Sequence, residues 1–168
     1  MQQSIQVTPL GQVGFRLGFP DLVIYIDPYL SNSVQDQEAQ DLRRLQPIAV
    51  APESVVDADF VFITHEHRDH CDPDTLTPLA AASPDCVFVS PPSARPILIS
   101  IGISEKRIRS CPREGKLSLG SGVLASTTPA AHPRVKLDGQ GEWVHVGYIF
   151  EWSGVRLYHA GDTAVSNE

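Results

Sequence analysis

The apolar run Phe60-Val61-Phe62-Ile63 leads without a break into Thr64-His65-Glu66-His67-Arg68-Asp69-His70. A strand ending in three imidazoles and a carboxylate constrains the fold, because such a cluster works only if other elements bring partners to the same strand end. Neutral histidine and aspartate are the donors that a zinc-type divalent ion prefers, so the pattern reads as a metal site. His65 and His67 lie two apart, and in an extended segment both rings project to one side. Asp69 and His70 follow where a helix is about to begin, with Asp72 as its N-cap and Pro73 at its first position. That helix start adds a positive dipole end to the same region.

The rest of the chain reads as strand and helix units. Residues 5–7, 13–17 and 22–26 are strand-like, punctuated by Gly11, Gly14, Gly18 and Pro20. Residues 31–46 are polar and rich in Gln and Asp, which suits a loop or a modest surface helix. The helix after Asp72 has Leu76, Leu79 and Ala80 on its apolar face. A strand at 86–89 and a short helix at 94–101 follow, giving a strand-helix-strand-helix order. Beyond Cys111 the texture turns to strands, at 116–119, 123–127, 144–152 and 155–159, with an exposed loop over 132–142. A length of 168 residues fits a single domain over 1–168, large enough to bury a core.

The net charge of -7, with no basic stripe, argues against nucleic acid as a partner. Met1-Gln2-Gln3-Ser4 is not a basic-then-apolar leader, and no run approaches the roughly 18 apolar residues of a membrane span. A cytoplasmic protein is expected. Cys71, Cys86 and Cys111 are odd in number and unpatterned, as expected of reduced thiols. Cys71 reads as a small packed residue beside the site.

Two later positions complement the cluster. His132 follows a strand in Thr128-Pro129-Ala130-Ala131-His132, and Asp162 follows another in Ala160-Gly161-Asp162-Thr163. Alone, each is uninformative; beside the cluster, they become the expected remaining donors. Asp27 ends a strand that should lie beside residues 60–63, where it could accept from the free N–H of a ligand histidine. His159, three before Asp162, is a second candidate for that role. Arg134 is a candidate for meeting a substrate carboxylate or phosphate. Glu66 and Arg68 alternate with the donors and should point away into salt bridges or solvent. His145 reads as a structural or surface histidine rather than a ligand.

His65-x-His67-x-Asp69-His70, then Pro129-Ala130-Ala131-His132, then His159-Ala160-Gly161-Asp162-Thr163 resemble the metallo-β-lactamase superfamily of binuclear metallo-hydrolases. Ile26-Asp27-Pro28-Tyr29 and the Leu157-Tyr158 phrasing before His159 are similar to its branch related to ascorbate-6-phosphate lactonase. The resemblance implies a four-layer αββα sandwich of mixed α/β character. It implies that His65, His67 and His132 hold one ion, that Asp69 and His70 hold the second, and that Asp162 bridges the two. Two divalent ions follow, zinc first, with manganese or iron also suited to these donors. Two such ions, the two aspartates and a hydroxide leave the centre near a charge of about +1, which suits an anionic substrate.

The implied activity is hydrolysis of a small anionic ester, lactone or phosphodiester by a metal-activated hydroxide that Asp69 would orient. In the family the second part of the chain carries further strands and a final histidine of the second site. Here Asn167-Glu168 closely follows Asp162, so the chain is expected to be the N-terminal portion of the full fold, incomplete at the C-terminus. Three explanations stand: a fragment, a short form completed by a second copy or partner chain, or a compact variant that closes its core another way. The rival functions are a metal-binding or assembly module, silent because its second site is incomplete, and a nuclease, which the acidic balance opposes.

Overall fold

The computed structural model describes residues 4–165. Strands β1 (Gln6–Pro9), β2 (Phe15–Phe19) and β3 (Leu22–Ile26) form an antiparallel meander. β4 (Phe60–Phe62), β5 (Val87–Val89) and β6 (Ile108–Arg109) extend it with parallel pairings into a six-stranded sheet in sequence order. β7 (Leu117–Gly120), β8 (Val123–Pro129), β9 (Val146–Trp152) and β10 (Val155–His159) build a second, antiparallel sheet in the order β10-β9-β8-β7. The helices are α1 (Ser33–Gln37), α2 (Pro73–Ala82) and α3 (Arg95–Ser100).

Alternation along β3 and β4 decides the layering. Tyr25, Val61 and Ile63 face α2 and α3, where they pack with Leu76, Leu79, Phe88 and Leu98. Ile24, Ile26, Phe60 and Phe62 face the other way, against Val123, Tyr148 and Phe150 of the second sheet. A strand buried on both faces must be apolar throughout, which is why β4 shows no polar alternation. The order helix, sheet, sheet supplies three layers of the αββα sandwich. Phe62 meets Tyr148 and Phe150 edge-on, at 4.9 Å between ring centroids in each case. The Tyr148 hydroxyl, fully buried, donates to the Ile63 carbonyl at 2.7 Å and ties the two sheets together just below the histidine cluster.

The helix start at Asp72 and Pro73 forms as the sequence expects, with the Asp72 carboxylate accepting from Asp74 N. Ser31 and Ser33 hydroxyls also donate to Asp72, which anchors the polar 31–46 segment to α2. That segment contains only the short α1. The structure differs in detail: β2 runs over Phe15–Phe19 rather than 13–17, α3 and β9 are shorter than the expected 94–101 and 144–152, and β6 is a strand where none was expected. Two residues of strand leave no readable period, so β6 exists only because β5 offers it an edge.

Among the described residues no helix is long and apolar enough to cross a membrane. All three cysteines are free and buried. Burial pushes the thiols of Cys71 and Cys86 up to about 12 and that of Cys111 to about 11, so they are packed groups rather than reactive ones.

Candidate metal centre

The parallel pairing Ile26↔Phe62 brings the ends of β3 and β4 to the same edge, where ligands of such sheets gather. The exit from β4 is fixed by backbone bonds. Ile63 N donates to Val89 O at 2.9 Å, and Val146 N donates to Thr64 O at 3.1 Å. Beyond it, His65 Nε2 and His132 Nε2 each lie 3.1 Å from His67 Nδ1. His132 comes from the loop after β8. That loop is tied to the Asp162 loop by Ala131 N donating to Thr163 Oγ1 (3.0 Å) and Ala164 N donating to Ala131 O (2.8 Å).

Two donor groups result, each with its ligand atoms within 4.8 Å of one another: His65, His67 and His132, and His65, His70 and Asp162. Asp162 Oδ1 is 3.3 Å from His70 Nε2, and its Oδ2 is 3.9 Å from His132 Nε2, so one carboxylate reaches both sides. Asp69 Oδ2 stands 3.7 Å from His70 Nε2, at the margin of the second group. His65 reaches both groups. Gly161 makes the Asp162 approach possible: its φ is +60°, and a Cβ there would meet Thr64 Cβ at 2.9 Å.

Asp27, fully buried, organises the far side of the rings. Its Oδ1 accepts from Thr64 N (2.8 Å), and its Oδ2 accepts from Thr64 Oγ1 (2.7 Å) and from His70 Nδ1 (2.8 Å). Thr64 Oγ1, having given its proton to Asp27, can only accept from His65 Nδ1 at 3.0 Å. The proton assignment that satisfies all four groups puts N–H on Nδ1 of His65 and of His70. With an ion bound, both Nε2 lone pairs would face the centre. His70 Nε2 is buried without a hydrogen-bond partner of good geometry, an orphan that a divalent ion would satisfy. Nitrogen and carboxylate donors of this kind fit such an ion.

Other side chains singled out in the sequence sit as follows. His159 Nδ1 accepts from Gly161 N at 3.2 Å and its ring packs edge-on against Phe15, so it shapes the Asp162 loop and touches no donor ring nitrogen. Arg134 is exposed, and its carbonyl accepts from His132 N at 3.3 Å. Arg68 pairs with Glu38 at 2.9 Å. His145 is buried among the donor rings, 5.4 Å from His65 and from His132 between centroids, with its Nε2 3.3 Å from Glu66 Oε1. Sequence reasoning gave neither Glu66 nor His145 a place at the centre. Beside Asp69 a cleft of about 370 Å³ opens, lined also by Tyr29, Arg43 and Arg44.

The electrostatics of the donors follow from this geometry. Burial, with the charge of His70 beside it, pushes the His65 imidazole down to about 3. Burial opposes charge on His70 too, but the neighbouring carboxylates of Asp162, Asp27 and Asp69 overcome it and lift His70 to about 10. The imidazole of His70 beside it draws Asp162 down to about 2 against the opposing effect of burial.

A pH dependence follows. His70 is raised, so without metal it is protonated at neutral pH, and an ion must displace that proton to bind Nε2. Zinc affinity is expected to rise about tenfold per pH unit from about pH 7 to 9. The charged His70 stabilises the metal-free fold fully below its ordinary 6.5, and that contribution is lost as pH rises through about 10. Calorimetric zinc titrations in two buffers of different ionisation enthalpy would count the proton. No proton released near pH 7.5 would refute the assignment.

The family described as Beta-lactamase superfamily domain matches residues 23–168. A UPF0173 metal-dependent hydrolase of Pyrobaculum islandicum is 25% identical over 170 residues, covering 96% of this chain and 63% of its own length. One from Aeropyrum pernix is 28% identical, with 96% and 62% covered. The chain thus spans less than two thirds of the length of these relatives. Among solved structures, Igni18, a metallo hydrolase from Ignicoccus hospitalis, superposes with a TM-score of 0.65 at 25% identity over 97% of this chain and 63% of its own. An isothiocyanate hydrolase from Delia radicum gut bacteria shares the fold with a TM-score of 0.69 at 22% identity, with 95% and 63% covered.

Proposed function

From the chain's membership of the beta-lactamase superfamily domain family, we propose that it carries the centre of a metal-dependent hydrolase acting on a small anionic ester, lactone or phosphodiester. The observation that carries this reading is the convergence of imidazole nitrogens and the Asp162 carboxylate in two adjoining groups, with the far nitrogens of His65 and His70 tied off by Thr64 and Asp27. Two divalent ions, zinc first, would be held by His65, His67 and His132 and by His70, Asp69 and the shared Asp162. Ions at such donors lower the pKa of water from about 15.7 to about 7 and polarise a carbonyl or phosphoryl oxygen.

The chain's own residues would do the rest. Asp69, on the cleft wall, would orient the attacking hydroxide. Arg43 on the same wall, and Arg134 in the loop after His132, offer cations to the anionic part of the substrate. Asp27 and Thr64 hold the rings so that nothing need reorganise during reaction. The three buried thiols suit a reducing compartment, the cytoplasm. The fold alone does not choose the substrate, so the class rests on the charge of the centre.

The test is metal content together with turnover. Two zinc ions per chain, with hydrolysis of a simple lactone or of bis(4-nitrophenyl) phosphate that disappears in Asp69→Ala, is the expected result. One ion or none, with no turnover of either probe, would overturn the reading.

A further inference from the structure

His145 sits just before β9, 5% exposed, and two of its groups bind the two segments that deliver the three-histidine donor group. Its carbonyl accepts from Ala130 N at 3.1 Å, which fixes the approach of His132. Its Nε2–H donates to Glu66 Oε1 at 3.3 Å, and Glu66 stands between His65 and His67. Its ring lies at 66–72° to those of His132 and His65, 5.4 Å away in each case, and 6.1 Å from that of His67. The next residue, Val146, donates from its N–H to Thr64 O, so the backbone around His145 is pinned to the same loop.

His145 Nδ1 is buried without a partner, and the Glu66 carboxylate, which faces Ser93 as well as His145, leaves Oε2 without a hydrogen bond of good geometry. An unpartnered buried polar atom costs roughly 1–3 kcal/mol. A residue kept only to fill this space would be apolar and would avoid that cost. His145 is not itself within donor reach of either group.

We propose that Glu66 and His145 form a brace that sets the spacing of His65, His67 and His132 for a divalent ion. His145 is a positioning residue here, and Glu66 is the arm that transmits its hold to the loop between two donors. The inference rests on the metal-centre reading above. Preorganised donors bind an ion more tightly because less loop freedom is lost on binding, and groups that orient metal ligands are typically worth about 10–100-fold in affinity.

The test uses zinc itself, titrated into the full chain against a chromophoric chelator, with the cobalt-substituted visible spectrum as a second readout of donor geometry. His145→Phe keeps the ring's bulk and removes the donor; Glu66→Ala removes the arm from a partly exposed position and guards against a folding failure in the first variant. Each should weaken zinc binding about 10–100-fold at the tighter-affected site and shift the cobalt spectrum. Glu66→Gln, which keeps an acceptor for His145, should restore most of the affinity. The double variant should be no worse than either single one, since both break the same tie.

Melting of the metal-free double variant, His145→Phe with Glu66→Ala, should be close to the parent's, because removing both partners strands neither, which separates positioning from general support of the fold. Unchanged zinc affinity in both single variants, additive losses, or no rescue by Glu66→Gln would each overturn the brace. A wild-type chain that binds no zinc would instead overturn the metal-centre reading, so the two failures are distinguishable.

Discussion

Asp162→Ala is expected to lower metal-supported hydrolysis by more than about 100-fold and to weaken binding at both donor groups together. The reason is its reach: Asp162 approaches His70 Nε2 at 3.3 Å and His132 Nε2 at 3.9 Å from its two oxygens. Residues that merely orient a ligand are worth about 10–100-fold, and a carboxylate shared between two positions should exceed that. Its removal also leaves the charge of two ions balanced by one aspartate fewer. Zinc stoichiometry measured beside kcat/KM decides the point. Loss at one group only would assign Asp162 to that group alone, and no loss at all would remove it from the centre. Gly161 sets the position, so the carboxylate cannot be supplied from a neighbouring residue without moving the loop off Thr64.

Asp27→Ala should be the most damaging single change to the fold near the site. Asp27 is fully buried and accepts three hydrogen bonds, from Thr64 N, Thr64 Oγ1 and His70 Nδ1. Truncation strands those donors in a dry interior and removes the anion opposite a histidine that is charged without metal. Breaking a buried pair in this way costs about 3–5 kcal/mol. For a domain of this size that lowers the melting temperature by about 10 °C. Asp27→Asn keeps the volume and one acceptor, so it should be milder in stability. It should still weaken zinc binding about 10–100-fold, because the tautomers of His65 and His70 are no longer fixed. Melting curves and chelator competition on the two variants check this. If both variants melt and bind zinc as the parent does, Asp27 has no organising role.

Much of the architecture was legible because it depends on local patterns. The continuous apolar strand 60–63 announces a central strand buried on both faces, and Asp72-Pro73 announces the start of α2. The strands of the second sheet announce themselves by the strand-like texture beyond Cys111, and the family match bears out the sandwich. β6 was not legible, since two residues carry no period and its pairing with β5 is supplied by the sheet. The 31–46 segment was ambiguous because its order comes from contacts made far away, such as Ser31 and Ser33 on Asp72.

The centre divides along the same line. Sequence spacing alone gathers His65, His67, Asp69 and His70 at one strand end, because residues two apart on an extended chain share a side and the following turn brings the next pair round. The chemistry of those side chains alone makes a divalent ion the natural occupant. What only the tertiary structure decided is which distant residues close around them. His132 meets His67 across 65 positions, and His145 meets Glu66 across 79, because β8 and β9 of one sheet lie over the end of β4 in the other. No local period encodes that crossing; it follows from two apolar faces, Phe62 against Tyr148 and Phe150, finding each other in the core. The sequence therefore determined the candidate donors, and the packing of the two sheets decided their partners and the groups that hold them in place.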